Sequence, residues 1–207
     1  MRLLLALLIV LAAGCGVRVP EIPSSARAQT PRAAPAVPWF APGRMELVLP
    51  GKRVSCTAYV RGLGNGQARL VLLSDEGLQL LDLQSTDDGY QVIQAIDDLK
   101  KAVPHLGRLL RQAFALPPEK RRWEDDRIAA ASGGSTRWYG GDPVLLRAIE
   151  GDGLDIAIED YQPLGGELLA HEARATAPFG ITMRIHLGDA RLLPPTPAVP
   201  AEPAEPR

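Results

Sequence analysis

Between residues 53 and 187, apolar side chains recur at every second position. Val54, Cys56, Ala58 and Val60 alternate with Ser55, Thr57, Tyr59 and Arg61. Leu154, Ile156 and Ile158 alternate with Asp155, Ala157 and Glu159, and Ile181, Met183, Ile185 and Leu187 with Thr182, Arg184, His186 and Gly188. A strand turns successive side chains to opposite faces, so this period marks antiparallel strands with one face buried. Gly64-Asn65-Gly66, Asp87-Asp88-Gly89, Gly151-Asp152-Gly153 and Gly165-Gly166 punctuate the pattern. Asn-Gly and Asp-Gly suit the left-handed backbone of tight hairpins. The spacing predicts strands at about 45–49, 53–61, 68–74, 77–84, 90–94, 127–131, 136–139, 144–150, 154–161, 167–176 and 181–192. Turns this short join neighbours, which makes the sheet a meander.

One segment departs from the period of two. Ile96, Leu99, Val103, Leu106, Leu110 and Phe114 recur at steps of three and four, the spacing of one helical face. Asp97 is placed to cap it. Pro104 inside the pattern predicts a kink or two short helices, with Pro104 opening the second, and Pro117-Pro118 ends it. The charged run Lys120 to Asp126 reads as a solvated loop. One helical segment cannot cover both faces of so many strands, so the sheet must curl. The fold class is mainly β (α+β): a curved antiparallel half-barrel meander whose inserted helical segment covers the concave face. Leu80, Ile156, Met183 and Ile185 should face inward, with Leu106 and Leu110 on the helix completing the wall. Such aliphatic walls suit acyl chains better than flat rings or sugars.

The chain ends differ in composition from this middle. Arg2 precedes an apolar run, Leu3 to Leu11, and Ala12, Ala13 and Gly14 lead directly to Cys15. This is the layout of a secretory signal. Leu11-Ala12-Ala13-Gly14-Cys15 also resembles a bacterial lipobox, apart from Ala12, where such signals more often carry Leu. The resemblance implies a signal peptide over 1–14, cleavage before Cys15, and acylation of the cysteine. An ordinary secretory signal with an incidental cysteine is the alternative. Three acyl chains would anchor the protein without a transmembrane helix. Gly16 in place of Asp favours the outer membrane on the same resemblance. Pro20, Pro23, Pro31, Pro35, Pro38 and Pro42 then mark residues 15–43 as a tether, with Trp39 and Phe40 either docked on the domain edge or at a membrane interface. The Pro, Ala and Glu repeats of 194–207 read as a disordered tail. The folded domain is therefore 44–193.

Chemistry is sparse. A net charge of −1 gives no basic field for nucleic acid. His105, His171 and His186 form no metal-binding motif, and no carboxylate or thiolate set converges with them by spacing. Gly133-Gly134-Ser135 is not a nucleophile elbow, because no helical pattern follows the serine. Gly62-Leu63-Gly64-Asn65-Gly66 lacks the lysine and the following helix of a phosphate loop. No catalytic residue, metal or cofactor is expected, and the chain does not read as an enzyme. Cys56 lies in an alternating stretch, the setting of a buried thiol rather than a nucleophile. Leu63 is apolar in a glycine loop. It either folds back over the sheet edge or projects toward a membrane or partner.

Taken together, the lipobox, the Pro-rich segment and a meander broken by a helix resemble the LolA/LolB superfamily of lipoprotein carriers. Gly77 to Leu83 is similar to an early strand of those sheets, Asp160 to Leu169 to their late hairpin, and Phe179 to Ile185 to their closing strand. The resemblance implies an envelope lipoprotein at the outer membrane, facing the periplasm, that binds or transfers acyl-chain ligands, whether lipid or lipoprotein. It also implies a protruding apolar loop residue, the type that Leu63 matches. The alternative is a non-catalytic structural or assembly lipoprotein that binds another envelope protein.

Overall fold

The computed structural model describes residues 17–114, 120–132 and 134–194. Its strands are β1 (Pro38–Leu49), β2 (Lys52–Leu63), β3 (Ala68–Leu73), β4 (Gln79–Ser85) and β5 (Tyr90–Ala95), then helix α1 (Val103–Ala113). After the helix come β6 (Arg122–Glu124), β7 (Arg127–Ser132), β8 (Ser135–Gly140), β9 (Leu145–Gly151), β10 (Asp155–Leu164), β11 (Glu167–Ala177), β12 (Ile181–Leu187) and β13 (Arg191–Leu192). They form one open antiparallel sheet in the order β5-β4-β3-β2-β1-β12-β11-β10-β9-β8-β7-β6, with β13 beside β1. Two meanders therefore meet at a seam, where Met45 faces Ile185 and Leu47 faces Met183.

Alternation builds the inner face. Along β12, Ile181, Met183, Ile185 and Leu187 are buried while the residues between them are exposed. On β2, Cys56, Ala58 and Val60 are buried while Thr57 and Tyr59 between them are half-buried. Register shifts at Leu72/Leu73, Asp82/Leu83 and Trp138/Tyr139 add local bend and twist.

Helix α1 is the only α-helix among the described residues, and it packs on this inner face. A 3-10 turn, Asp97–Leu99, precedes it, and Pro104 lies in its first turn, where its missing N–H costs no hydrogen bond. Asp97 does not cap the helix: it sits inside the 3-10 turn and pairs with Lys100 at 2.7 Å, leaving Ala102 at the cap position. Leu106, Leu109 and Leu110 are buried, each contributing about 1.5–3 kcal/mol. Gly107 lets the helix approach β5, since a Cβ there would overlap the Tyr90 ring.

The segment expected to be a tether is different. Residues 17–37 lie against the second meander, with Val19, Ile22, Ala26 and Ala33 buried. The Ile22 amide donates to the Asp126 carbonyl at 2.8 Å, and the Arg32 amide to the Val144 carbonyl at 3.0 Å. The Gln29 side chain bonds Asp142 and the Val144 amide. The strap crosses Gly140 so closely that a Cβ there would strike the Pro20 carbonyl. Prolines keep the strap extended on either side of a 3-10 turn at Ser24–Ala26 without stopping it from packing, because extended chain still exposes carbonyls and small apolar side chains to the sheet. The folded unit therefore begins before residue 44. Strand β1 starts at Pro38, and Trp39 is buried in the core, 5.4 Å from the Phe114 ring. Part of the charged run expected to be a loop forms the edge strand β6, and the long last strand breaks at Gly188-Asp189 into β12 and β13. The signal peptide, Cys15 and the tail beyond Pro194 lie outside the described residues.

Candidate functional site

Five of the six side chains expected to line the interior come together. Ile156, Met183, Ile185, Leu106 and Leu110 belong to one buried apolar cluster between the sheet and α1. Leu80 packs against this cluster from its margin rather than within it. The register shift between Leu72 and Leu73 leaves it half-buried, and Leu81 and Leu83 face inward instead.

A cleft of about 580 Å³ opens where the first turn of α1 meets the sheet. Leu49, Pro50 and Ile181 form its apolar part, and Lys52, Asp97, Asp98, Lys101 and His105 its charged rim. Lys52 and Asp98 pair across it. Burial, with Arg108 nearby, pushes His105 down, which favours the neutral imidazole. Phe179 borders the same cleft, 90 % exposed, with a left-handed backbone (φ 63) between Pro178 and Gly180. A bulky residue in that conformation is strained, and such strain clusters at functional sites. An aromatic between Pro and Gly at a hairpin was the signal available in the sequence.

Leu63 takes the folded-back position: it ends β2 opposite Pro38, half-buried, with its amide donating to the Gln67 carbonyl at 2.9 Å. The apolar residue that projects from an early hairpin is Leu78, between β3 and β4, 67 % exposed. Cys56 is buried, as expected of a structural thiol, and burial, reinforced by Asp75, pushes it up to about 11. His171 is buried, with Nδ1 3.1 Å from the Leu187 carbonyl oxygen, while His186 faces solvent on β12. Among the described residues, no group of three His, Cys, Asp or Glu is disposed to hold a metal ion, and no helix is long and apolar enough to cross a membrane.

A half-open antiparallel sheet, two meanders joined at a central seam, and a helix on its inner face define the architecture. A LolA superfamily protein from Nitrosomonas europaea superposes on it with a TM-score of 0.53 and 11 % identity, covering 77 % of this chain and 88 % of that one. The fold is LolA-like. A putative outer membrane lipoprotein-sorting protein domain from Vibrio parahaemolyticus gives 0.47 at 10 % identity, over 76 % and 86 % of the two chains. A DUF1329 family protein from Desulfovibrio piger gives 0.40 at 11 %, over 75 % and 85 %. The likeness of fold rests on the first of these. No protein-family model and no curated protein sequence matches the chain.

Proposed function

We propose that the chain is an envelope lipoprotein that binds or transfers acyl chains at the outer membrane. One observation carries this reading: α1 lies over a largely apolar part of the concave face, with a cleft of apolar floor and polar rim at its leading end. Lifting the helix exposes a trough of Leu, Ile and Met, and the charged rim keeps the mouth wet. Phe179 and Leu78 offer apolar contacts at the mouth and at a hairpin tip. The lipobox-like run ending at Cys15 supplies the anchor and the LolA-like fold supplies the precedent. The full chain should take up a fluorescent fatty-acid probe saturably, and Cys15→Ser should release it from the membrane fraction. A folded chain with no saturable uptake and no lipid in its extract would defeat the carrier reading. A Cys15→Ser protein that stays membrane-bound after a salt wash would defeat the anchor.

A second reading has its own observation. With α1 seated, the interior side chains are packed, and the edge strand β5 exposes Val92 and Ile93. Those features favour a structural or assembly lipoprotein that binds another envelope protein along its first edge. In that case the probe is not taken up, and Val92→Lys with Ile93→Lys abolishes partner capture while leaving the fold intact.

A further inference from the structure

The seated strap sets how far the folded body can stand from Cys15. Three residues separate Cys15 from Val19, the first buried side chain among the described residues. Fully extended, that stretch reaches at most about 14 Å. A free Pro-rich tether over 15–43 would reach about 90 Å and let the body turn at will. A body roughly 40 Å across on so short a leash must lie against whatever holds Cys15, and on one side only.

That side is fixed by where the strap begins. Val19 and Pro20 cross Gly140, the last residue of β8, and the Ile22 amide bonds Asp126 in the β6–β7 hairpin. The cleft lies at the other end of the strands. Ser135, which starts β8, pairs with Gly151, and a Cβ on Gly153 in the next turn would lie 3.8 Å from Pro178, beside Phe179. From Gly140 to Ser135 the strand runs about 17 Å.

Trp123 stands beside the strap's start. It lies on the edge strand β6, 50 % exposed, in the cross-strand row Trp123, Ile128, Tyr139, one residue short of Gly140. Arg27 of the strap sits over its ring at 5.6 Å and pairs with Asp126. The indole N–H has no acceptor among the described residues. An indole with an apolar body and an unpaired N–H suits the head-group level of a bilayer, where one end is apolar and the other wet.

We propose that the pole made by the start of the strap and Trp123 rests on the bilayer that holds the lipid of Cys15, and that the cleft opens at the pole turned away from it. This orientation rests on the anchor reading of Cys15 and adds a direction to it. Ligand then reaches the cleft from the aqueous side, not by lateral entry from the anchoring leaflet.

The test uses the full lipidated chain in vesicles of phosphatidylethanolamine and phosphatidylglycerol whose acyl chains are brominated near the head group, which quenches tryptophan fluorescence at short range. The wild-type chain should be quenched. Trp123→Phe should lose most of that quenching, since Trp39 is buried in the core. Adding Phe179→Trp to this variant should restore none of it. Quenching unchanged in Trp123→Phe, or restored by Phe179→Trp, overturns the orientation, and an acylated chain that stays on the vesicles leaves the anchor standing. A chain whose mass shows no acyl groups and that washes off the vesicles overturns both.

Discussion

Replacing Gly107 with Ala tests whether α1 is seated as described. At an ordinary helical position this change stabilises by about 1 kcal/mol, because glycine loses more backbone entropy on folding. Here the new methyl would overlap Cγ, Cδ1 and Cε1 of Tyr90, the first residue of β5. Inserting a methyl into a packed contact costs about 1–3 kcal/mol. The two effects combine to a net destabilisation of up to about 2 kcal/mol. In a Tyr90→Ala background the overlap is gone, and the same substitution should stabilise by about 1 kcal/mol. Urea unfolding of the four proteins of this double-mutant cycle measures the coupling. A lid held less firmly should also load the acyl probe faster. If Gly107→Ala stabilises equally in both backgrounds, the helix does not rest on Tyr90 and its role as a lid on β5 is refuted.

Three further outcomes follow from the geometry. Ile156→Asp puts a carboxylate at a fully buried position between Ile149 and Ala175, at a cost of several kcal/mol, and an unchanged melting temperature would show that the register is wrong. The raised Cys56 thiol remains protonated in the fold while an unfolded chain ionises from about its ordinary value of 9.0, so stability should fall between pH 9 and about 11 by roughly 1.4 kcal/mol per pH unit, relative to Cys56→Ala; identical pH profiles would contradict it. Phe179→Gly relieves a left-handed backbone worth about 1–2 kcal/mol while removing an apolar contact at the cleft, so unfolding should shift to higher urea as probe uptake slows; faster uptake would remove Phe179 from the path.

The strands and the helix were legible because each imposes a period on its own residues. Val54 to Val60 and Ile181 to Leu187 alternate whatever lies beside them, and Pro104 marks the start of α1 by its backbone chemistry alone. What escaped reading depends on partners distant in sequence. Residues 17–37 carry the composition of a tether, and partners far along the chain, among them the Asp126 carbonyl and the backbone around Val144, make them a strap. Leu80 and Leu81 are alike in type, and a one-residue shift against β3 decides which faces inward. Leu63 and Leu78 both sit in glycine-containing hairpins, and pairing with Pro38 tucks one of them in. Arg137 is buried on β8, and an arginine does not mark an interior position by its type.

The seam between β1 and β12 bears on how the chain is made. The first strand and the last full-length strand lie side by side in the middle of the sheet, with Gly43 opposite Leu187. Until the last strand emerges, β1 offers a bare flank of unpaired amides and carbonyls next to the forming first meander. Each meander can form locally, but the sheet becomes continuous only when the ends of the chain meet. Contacts so distant in sequence form slowly, and an exposed strand flank invites pairing with other chains in the meantime. A protein threaded through a membrane from its N-terminus would carry that open flank for nearly the whole of its passage. For a chain made in that way, shielding of the flank would matter to yield alongside the final stability of the sheet.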